Sequence, residues 1–208
     1  MEYVMKTLSL IALLAVAGFA NAATYELDPY HTNARFSIDH FGTSTNVAGF
    51  YELSGLMQFD RAAGKGSIDI SIPVSSLTAS SSLFTQHLKG ADLFNIEQHP
   101  TMRFVSTKFY FKGTGKNRQL QSVSGNLTLL GKTHPVTLTA TKFNCYQSPM
   151  LNTEVCGGDF TTKIDRTKWG MNYLVEMGMP KDVGIDIQVE AGKRAHEDLS
   201  IPILLSLN

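Results

Sequence analysis

The sequence predicts an all-β fold, in which an antiparallel sheet of about eight strands curls and closes into a β-barrel. Seven or eight stretches alternate apolar and polar residues with a period of two, most clearly residues 67–74 (SIDISIPV) and 183–190 (VGIDIQVE). No long helical pattern interrupts them. Because successive side chains on a strand point to opposite faces, each stretch turns one face toward a core. A closed barrel has an interior that side chains or a ligand can fill.

Turn residues separate several of the predicted strands. Residues 60–66 and 131–135 contain glycine and join neighbouring strands at hairpin length. We predict strands at residues 24–27, 34–40, 49–59, 67–73, 102–111, 119–130, 136–143, 159–164 and 183–191.

One connection, between residues 74 and 102, differs in kind from these turns. Serines at 80–82 can cap a helix, and Phe84, Leu88 and Ala91 recur at intervals of three and four residues. The pattern predicts one helix between the early and late strands, and we expect it to cover one mouth of the barrel.

Residues 1–22 have the pattern of a secretory signal peptide. Lys6 precedes an apolar run at 8–19, and the small-x-small sequence at 20–22 (ANA) is the kind that a signal peptidase cleaves. The alternative is a membrane anchor, but about 12 apolar residues are fewer than the roughly 20 that cross a bilayer. We expect cleavage after Ala22 and a periplasmic protein.

The charge balance is neutral. The chain contains 18 Lys and Arg residues against 18 Asp and Glu residues, and cleavage would remove one of each, Lys6 and Glu2. A neutral surface gives no electrostatic reason to bind nucleic acid or an anionic membrane. We therefore expect no nucleic-acid partner.

The only two cysteines, Cys145 and Cys156, are expected to form a disulfide. In an oxidising compartment a disulfide would tie together the ends of the polar segment 144–158, which we interpret as a loop near the surface and outside the channel. A bridge that closes a loop this short is expected to raise the free energy of unfolding by about 3 kcal/mol. The pair lacks Cys-x-x-Cys spacing, so a redox function is not expected.

Large apolar side chains are more numerous on the predicted strands than closing a small sheet requires. A packed core accounts for most of them. Residues 50–56 and 105–111, however, carry bulky apolar side chains on both faces. We expect the helix, or the second subunit of a homodimer, to cover their outer face.

The residues predict no metal site and no catalytic residues. Five of the six histidines lie on different predicted elements, without the His-x-His or His-Glu-x-x-His spacing that prearranges metal ligands. The Gly-x-Ser-x-Gly motif of a serine hydrolase and a glycine-rich phosphate loop are both absent from the sequence. We therefore favour a binding protein over an enzyme.

Residues 28–41 (DPYHTNARFSIDHF) resemble the opening motif D-x-x-H-(S/T)-x-x-x-F-x-(I/V)-x-H of the YceI-like periplasmic proteins. Further matching blocks follow in order at residues 49–50 (GF), 87–94 (HLKGADLF), 99–104 (HPTMRF), 125–133 (GNLTLLGKT) and 164–170 (IDRTKWG). The likeness assigns residues 23–192 to one YceI-like domain. The segment 144–158 resembles the neisserial-type branch, in which ubiquinone binding has been described.

The resemblance implies an extended lipocalin-like barrel whose apolar channel holds a polyisoprenoid lipid, with either a ubiquinone or a polyprenyl phosphate head group. It implies a carrier that requires no cofactor beyond this bound lipid and that contacts a membrane or a membrane protein transiently. The alternative is an enzyme acting on an isoprenoid or quinone, which would need polar groups clustered deep in the channel.

Positions within the matching motifs identify the candidate site residues. The expected lining residues are Phe36, Ile38, Phe50, Phe94, Phe104 and Trp169. The expected head-group residues are His40, His87, Arg103 and Arg166. For each charged candidate, a surface ion pair or a strand-end hydrogen bond is the alternative role. Arginine suits a phosphate through paired donors, whereas a quinone carbonyl needs only one donor, so both head groups stay open.

The chain departs from the family pattern at its end. Family members commonly stop shortly after the last strand, whereas here a C-terminal tail at residues 193–208 adds the apolar run IPILLSL at 201–207. Termini that make no strand pairing are usually loose. An apolar run in such a tail could instead dock on an exposed patch or on a partner.

Overall fold

This computed structural model describes residues 22–195, which contain eleven β-strands, one α-helix and three short 3₁₀ helices at Val74–Ser76, Gly115–Asn117 and Arg166–Trp169. The helix, α1, spans Ser82–Lys89. The strands are β1 (Ala23–Leu27), β2 (Asn33–His40), β3 (Ser44–Phe50), β4 (Ser54–Asp60), β5 (Lys65–Pro73), β6 (Leu77–Ala79), β7 (Thr101–Lys112), β8 (Gln119–Leu129), β9 (Lys132–Ser148), β10 (Thr153–Asp165) and β11 (Asp182–Lys193).

Six of the shorter strands combine in pairs, so that the barrel wall has eight members. These members are β1 with β2, β4 with β3, and β5 with β6. Both β1 and β2 are hydrogen-bonded to β11. In the next two members, β4 is bonded to β1 and β3 to β2, and then β5 to β4 and β6 to β3. Strands β7 to β11 continue the sheet from β5, each antiparallel to the one before. The pairing of β1 with β11 closes the ring. The predicted closed antiparallel barrel is confirmed.

A turn at residues 28–32 separates β1 from β2, but the barrel wall stays closed at this point. The Asp28 amide donates to the Glu190 carbonyl of β11 at 2.8 Å. The buried Thr32 hydroxyl donates to the same carbonyl at 3.1 Å and accepts from the Glu190 amide at 3.2 Å. The Thr32 side chain thus replaces a missing rung of the ladder, and β2 continues on the same edge of β11 as β1.

Two ends of the barrel are distinguished by their connections. The helix end carries α1, the β2–β3 and β8–β9 turns, and the long β10–β11 connection. The turn end carries the short β4–β5, β7–β8 and β9–β10 connections.

The predicted helix is confirmed, and Ser81 caps it by accepting a hydrogen bond from the Phe84 amide at 3.2 Å. Leu88 is buried, while the His87 ring lies 5.3 Å from that of Tyr173.

Because α1 lies at an end, it does not cover the outer face of the strands that carry apolar residues on both sides. Tyr51, Leu56 and Tyr110 are exposed on that face. The expectation that the helix covers them is wrong. Their coverage by a second subunit stays a prediction.

The predicted disulfide between Cys145 and Cys156 is confirmed, but its predicted position is wrong. The two cysteines are paired directly across β9 and β10, which extend to Ser148 and from Thr153, and Cys156 is only 1 % exposed. The polar composition of this segment hid its alternation. Phe143 and Cys145 pack against the core, whereas Asn144 and Tyr146 are exposed. The bridge therefore belongs to the barrel interior and not to a surface loop.

Replacing both cysteines with serine is expected to lower the free energy of unfolding by about 3 kcal/mol, because the bridge closes a short loop of the unfolded chain. The sequence separation of the pair is 11 residues. Denaturant unfolding of the wild type and the double variant measures the difference, with a free-thiol assay as the control. Free thiols in the native protein, or equal stability, would contradict the assignment.

Two predicted segments fall outside the described residues. All but the last residue of the predicted signal peptide lies in residues 1–21, and most of the predicted tail lies in residues 196–208. Both predictions stand as predictions. Within residues 22–195, no helix has the length and apolar character needed to cross a bilayer.

Candidate ligand-binding cavity

The barrel encloses an apolar cavity of about 250 Å³ that runs from the helix end toward the turn end. An engineered apolar cavity of roughly 150 Å³ is enough to bind benzene, so this space can hold a small apolar group outright. Side chains from all eight wall members contribute to it. The deep wall, toward the turn end, is formed by Met57, Ile68, Phe109, Leu120, Val123 and Phe143.

Strand alternation explains how the chain builds this wall. On β2, Ala34, Phe36, Ile38 and His40 line the cavity at a spacing of two residues, and the exposed Arg35 borders it as well. On β8, a Cβ atom at Gly125 would lie 2.4 Å from the Phe104 ring. The absence of a side chain there lets that ring lie against the β8 backbone.

Five of the six predicted lining residues face the cavity: Phe36, Ile38, Phe50, Phe94 and Phe104. Three of them form an aromatic group near the helix end. The ring centroids of Phe36 and Phe94 are 5.6 Å apart, those of Phe50 and Phe94 are 5.2 Å apart, and those of Phe36 and Phe50 are 6.1 Å apart. These distances are typical of packed aromatic pairs.

Trp169 does not line the cavity, and this prediction is wrong. It is 2 % exposed and ends the short helical turn Arg166–Trp169, which packs against β9. Its indole Nε1 donates to the Leu127 carbonyl at 3.1 Å, and its ring meets that of His134 edge-on at 5.0 Å. The pairing of β9 with β10 ends at Thr139 and Thr161. Trp169 therefore fills the gap that opens between these two strands at the helix end.

Arg103 lies outside the cavity, so its predicted head-group role is also wrong. Its side chain is 60 % exposed and forms an ion pair with Asp69 on β5, with Nε donating to Oδ1 at 2.8 Å. The neighbours Met102 and Phe104 point inward. Alternation along β7 therefore directs Arg103 outward.

Arg166 borders the cavity, but its guanidinium is engaged with the β10–β11 connection. It donates to the carbonyls of Pro180 at 3.0 Å, Met171 at 3.2 Å and Tyr173 at 2.8 Å. The residue is 3 % exposed. Burial lowers the pKa of Arg166, and the neighbouring Asp165 opposes that shift. Its role in the described structure is to fold this connection over the helix end of the barrel.

Polar groups of the cavity mouth come from β2, β3, α1 and the β10–β11 connection. The predicted head-group residues His40 and His87 both line the cavity and are exposed at the helix end. Asn46 on β3 and Tyr173 in the β10–β11 connection join them. Sequence reasoning missed these two. Asn46 pairs with Ile38 in the register, so correct strand pairing would have found it, whereas Tyr173 lies in a segment without periodicity.

The turn end of the cavity is closed by four aromatic residues, Tyr25, Phe59, Phe111 and Phe143, which we term the aromatic floor. Phe59 contacts each of the other three, with ring centroids 6.4, 6.2 and 5.4 Å away respectively. Within residues 22–195, no group of three or more His, Cys, Asp or Glu side chains is arranged to hold a metal ion.

Residues 25–191 match the YceI-like domain. The chain belongs to the YceI-like family. The predicted family is thereby confirmed, whereas the neisserial-type branch stays a prediction. A UPF0312 protein of Shewanella denitrificans is 32 % identical over 177 residues, which are 80 % of this YceI-like chain and 91 % of the relative.

Solved structures show the same fold. The YceI protein of Campylobacter jejuni superposes with a TM-score of 0.62 at 21 % identity, covering 92 % of this chain and all of its own. A polyisoprenoid binding domain from Saccharophagus degradans gives a TM-score of 0.58 at 13 % identity, covering 83 % and 99 %. At these identities, the likeness establishes the YceI-like architecture alone.

Proposed function

We propose that this YceI-like protein is a periplasmic, non-enzymatic carrier that holds the isoprenoid chain of a lipid inside its barrel and the lipid head group at the helix end. The observation that carries the proposal is the arrangement of the cavity: a deep wall of apolar side chains with polar groups gathered at one mouth. The name of the Saccharophagus relative, a polyisoprenoid binding domain, supports this ligand class. The secretory pattern of residues 1–22 supports the periplasmic location.

Burial of the isoprenoid chain is sufficient to hold such a ligand. Each isoprene unit has about five apolar carbons, and burial of each CH₂ stabilises the complex by about 0.8 kcal/mol. A few buried units would therefore give substantial affinity without a polar contact. An enzyme acting on the same lipid would need polar groups beside the reacting atoms, whereas the deep residues are Met57, Ile68, Phe109, Leu120, Val123 and Phe143. This wall favours binding over catalysis.

The mouth favours a quinone-type head group over a phosphate. Both predicted head-group arginines are engaged elsewhere, Arg103 with Asp69 and Arg166 with backbone carbonyls. A third arginine, Arg35, borders the cavity but is exposed and lies opposite Asp186 on β11. A phosphate is best bound by paired cationic donors, whereas a quinone carbonyl accepts a single hydrogen bond from a neutral group. Imidazole, amide and phenol groups at the mouth supply such donors.

Organic extraction of the purified protein followed by mass spectrometry is the decisive experiment. We expect an isoprenoid lipid with a quinone-type head group to accompany the protein, and intact mass of the same preparation reports whether cleavage occurred after Ala22. A polyprenyl phosphate in place of the quinone would overturn the head-group assignment but keep the carrier. Repeated preparations without isoprenoid, together with failure to take up added ubiquinone, would overturn the carrier function.

A further inference from the structure

We propose that Phe143, backed by the rest of the aromatic floor, sets the longest isoprenoid chain that the cavity accepts. This inference rests on the proposed carrier function and assigns chain-length selection to particular residues. A lipid that enters at the helix end, where the polar groups lie, would direct the far end of its chain toward the turn end of the barrel.

Phe143 lies at the turn end of the cavity, where Cys156 on the neighbouring strand also lines it. The Phe143 side chain lines it, whereas Tyr25, Phe59 and Phe111 lie beyond its wall. The Phe143 and Phe59 rings meet edge-on, with centroids 5.4 Å apart. Phe59 is 3 % exposed and is packed in turn against the other two floor residues. A chain that reaches Phe143 therefore meets a second layer of close-packed rings and not open space.

Covalent and polar contacts hold the floor in place. Cys145 follows Phe143 by two residues on the same face of β9, and its disulfide partner Cys156 also lines the cavity. On the other side of the floor, the Tyr25 hydroxyl donates to the Glu154 carboxylate of β10 at 2.5 Å. Burial, together with Glu154, raises the pKa of Tyr25, so this hydroxyl stays a neutral donor.

The register also explains why removing the Phe143 ring would leave space. The residue paired with Phe143 on β10 is Gly158, which has no side chain that could fill the gap. A Cβ atom at Gly158 would lie 2.1 Å from the Lys142 carbonyl oxygen, so the backbone requires glycine there. Close-packed interiors do not deform continuously. A chain longer than the cavity must therefore leave its last units in water at the mouth, where they lose the burial that drives binding.

The test is competitive loading. Delipidated wild type and variants are incubated with an equimolar series of ubiquinones of graded isoprenoid length, and the bound population is read by extraction and mass spectrometry. Phe143→Ala is expected to raise the longest chain bound by at least one isoprene unit, and Phe143→Trp is expected to lower it. Tyr146→Ala is the matched control, because this aromatic residue of the same strand points to solvent and should leave the distribution unchanged.

Other outcomes separate the two proposals. Leu138→Ala, which widens the cavity on the same strand but nearer the mouth, should not raise the maximum length, and an equal rise there would overturn the role of Phe143. Identical length distributions for wild type, Phe143→Ala and Phe143→Trp would overturn it as well, with the carrier intact. If Phe143→Ala does not fold, Phe143→Leu replaces it with the same expected direction. Failure of the wild type to bind ubiquinones of any length would overturn the quinone-carrier proposal on which this inference rests.

Discussion

Phe36→Asp and Phe104→Asp are each expected to reduce lipid retention by at least about tenfold, because an unpaired carboxylate in an apolar cavity costs several kcal/mol. Both rings line the cavity, and each packs among apolar neighbours. Loss of the ring alone destabilises a core by about 3–5 kcal/mol. We therefore expect lower stability together with lipid loss.

The matched control is Val47→Asp, on the strand that pairs with β2. Val47 is half exposed and points outward opposite Ser37, so the same charge there should change neither stability nor retention appreciably. Lipid content by extraction and unfolding by denaturant measure both effects. A Phe36→Asp protein that folds normally and keeps its lipid would show that the inward face of β2 has been misassigned.

The pH dependence gives a second measurement on the same variants. An apolar environment raises the pKa of the new carboxyl, because burial disfavours its charged form. Below its folded-state pKa the carboxyl group is neutral, and it destabilises the folded protein least in that pH range. Stability and retention should therefore recover as pH falls through that value, and Phe36→Asn should show no such recovery.

Arg166→Met is expected to lower the free energy of unfolding by about 4 kcal/mol or more, since three carbonyls of the β10–β11 connection lose a charged donor that is worth about 1.5–3 kcal/mol per hydrogen bond. Lysine should not rescue the variant, because one ammonium group cannot reproduce the planar fork that reaches all three carbonyls. Denaturant unfolding measures the change.

Arg103→Met provides the comparison for this variant. It removes the same side chain from an exposed ion pair with Asp69, and exposed pairs contribute little to stability. Equal destabilisation of the two variants, or a fully stable Arg166→Lys protein, would contradict the role assigned to Arg166.

Alternation identified most of the barrel and most of the cavity wall from sequence. Phe36 and Ile38 share a face of β2 at a spacing of two residues, and the structure places both in the cavity. The same rule excludes Arg103, since it adjoins the inward-facing Phe104 and both cannot point inward. A residue's position in a family motif does not specify which face of the strand its side chain occupies.

Other features have no local signal in the chain. Arg166 and Trp169 act from a short helical turn, through contacts with residues far away in sequence, so periodicity says nothing about them. The cysteine segment 144–158 misled for another reason. Its outward residues are polar enough to resemble a loop, although Phe143 and Cys145 continue the inward face of β9.

Residence time of the bound lipid is expected to depend on local opening near Trp169. Most of the barrel wall is joined by main-chain hydrogen bonds, which part only when a strand pair unfolds. Where β9 and β10 diverge, the wall is completed by the Arg166–Trp169 turn and the connection that follows it, held by side-chain contacts. Such a segment can open at lower free energy than the barrel itself. The barrel can therefore retain its lipid tightly and still exchange it at a rate that the opening of this segment controls.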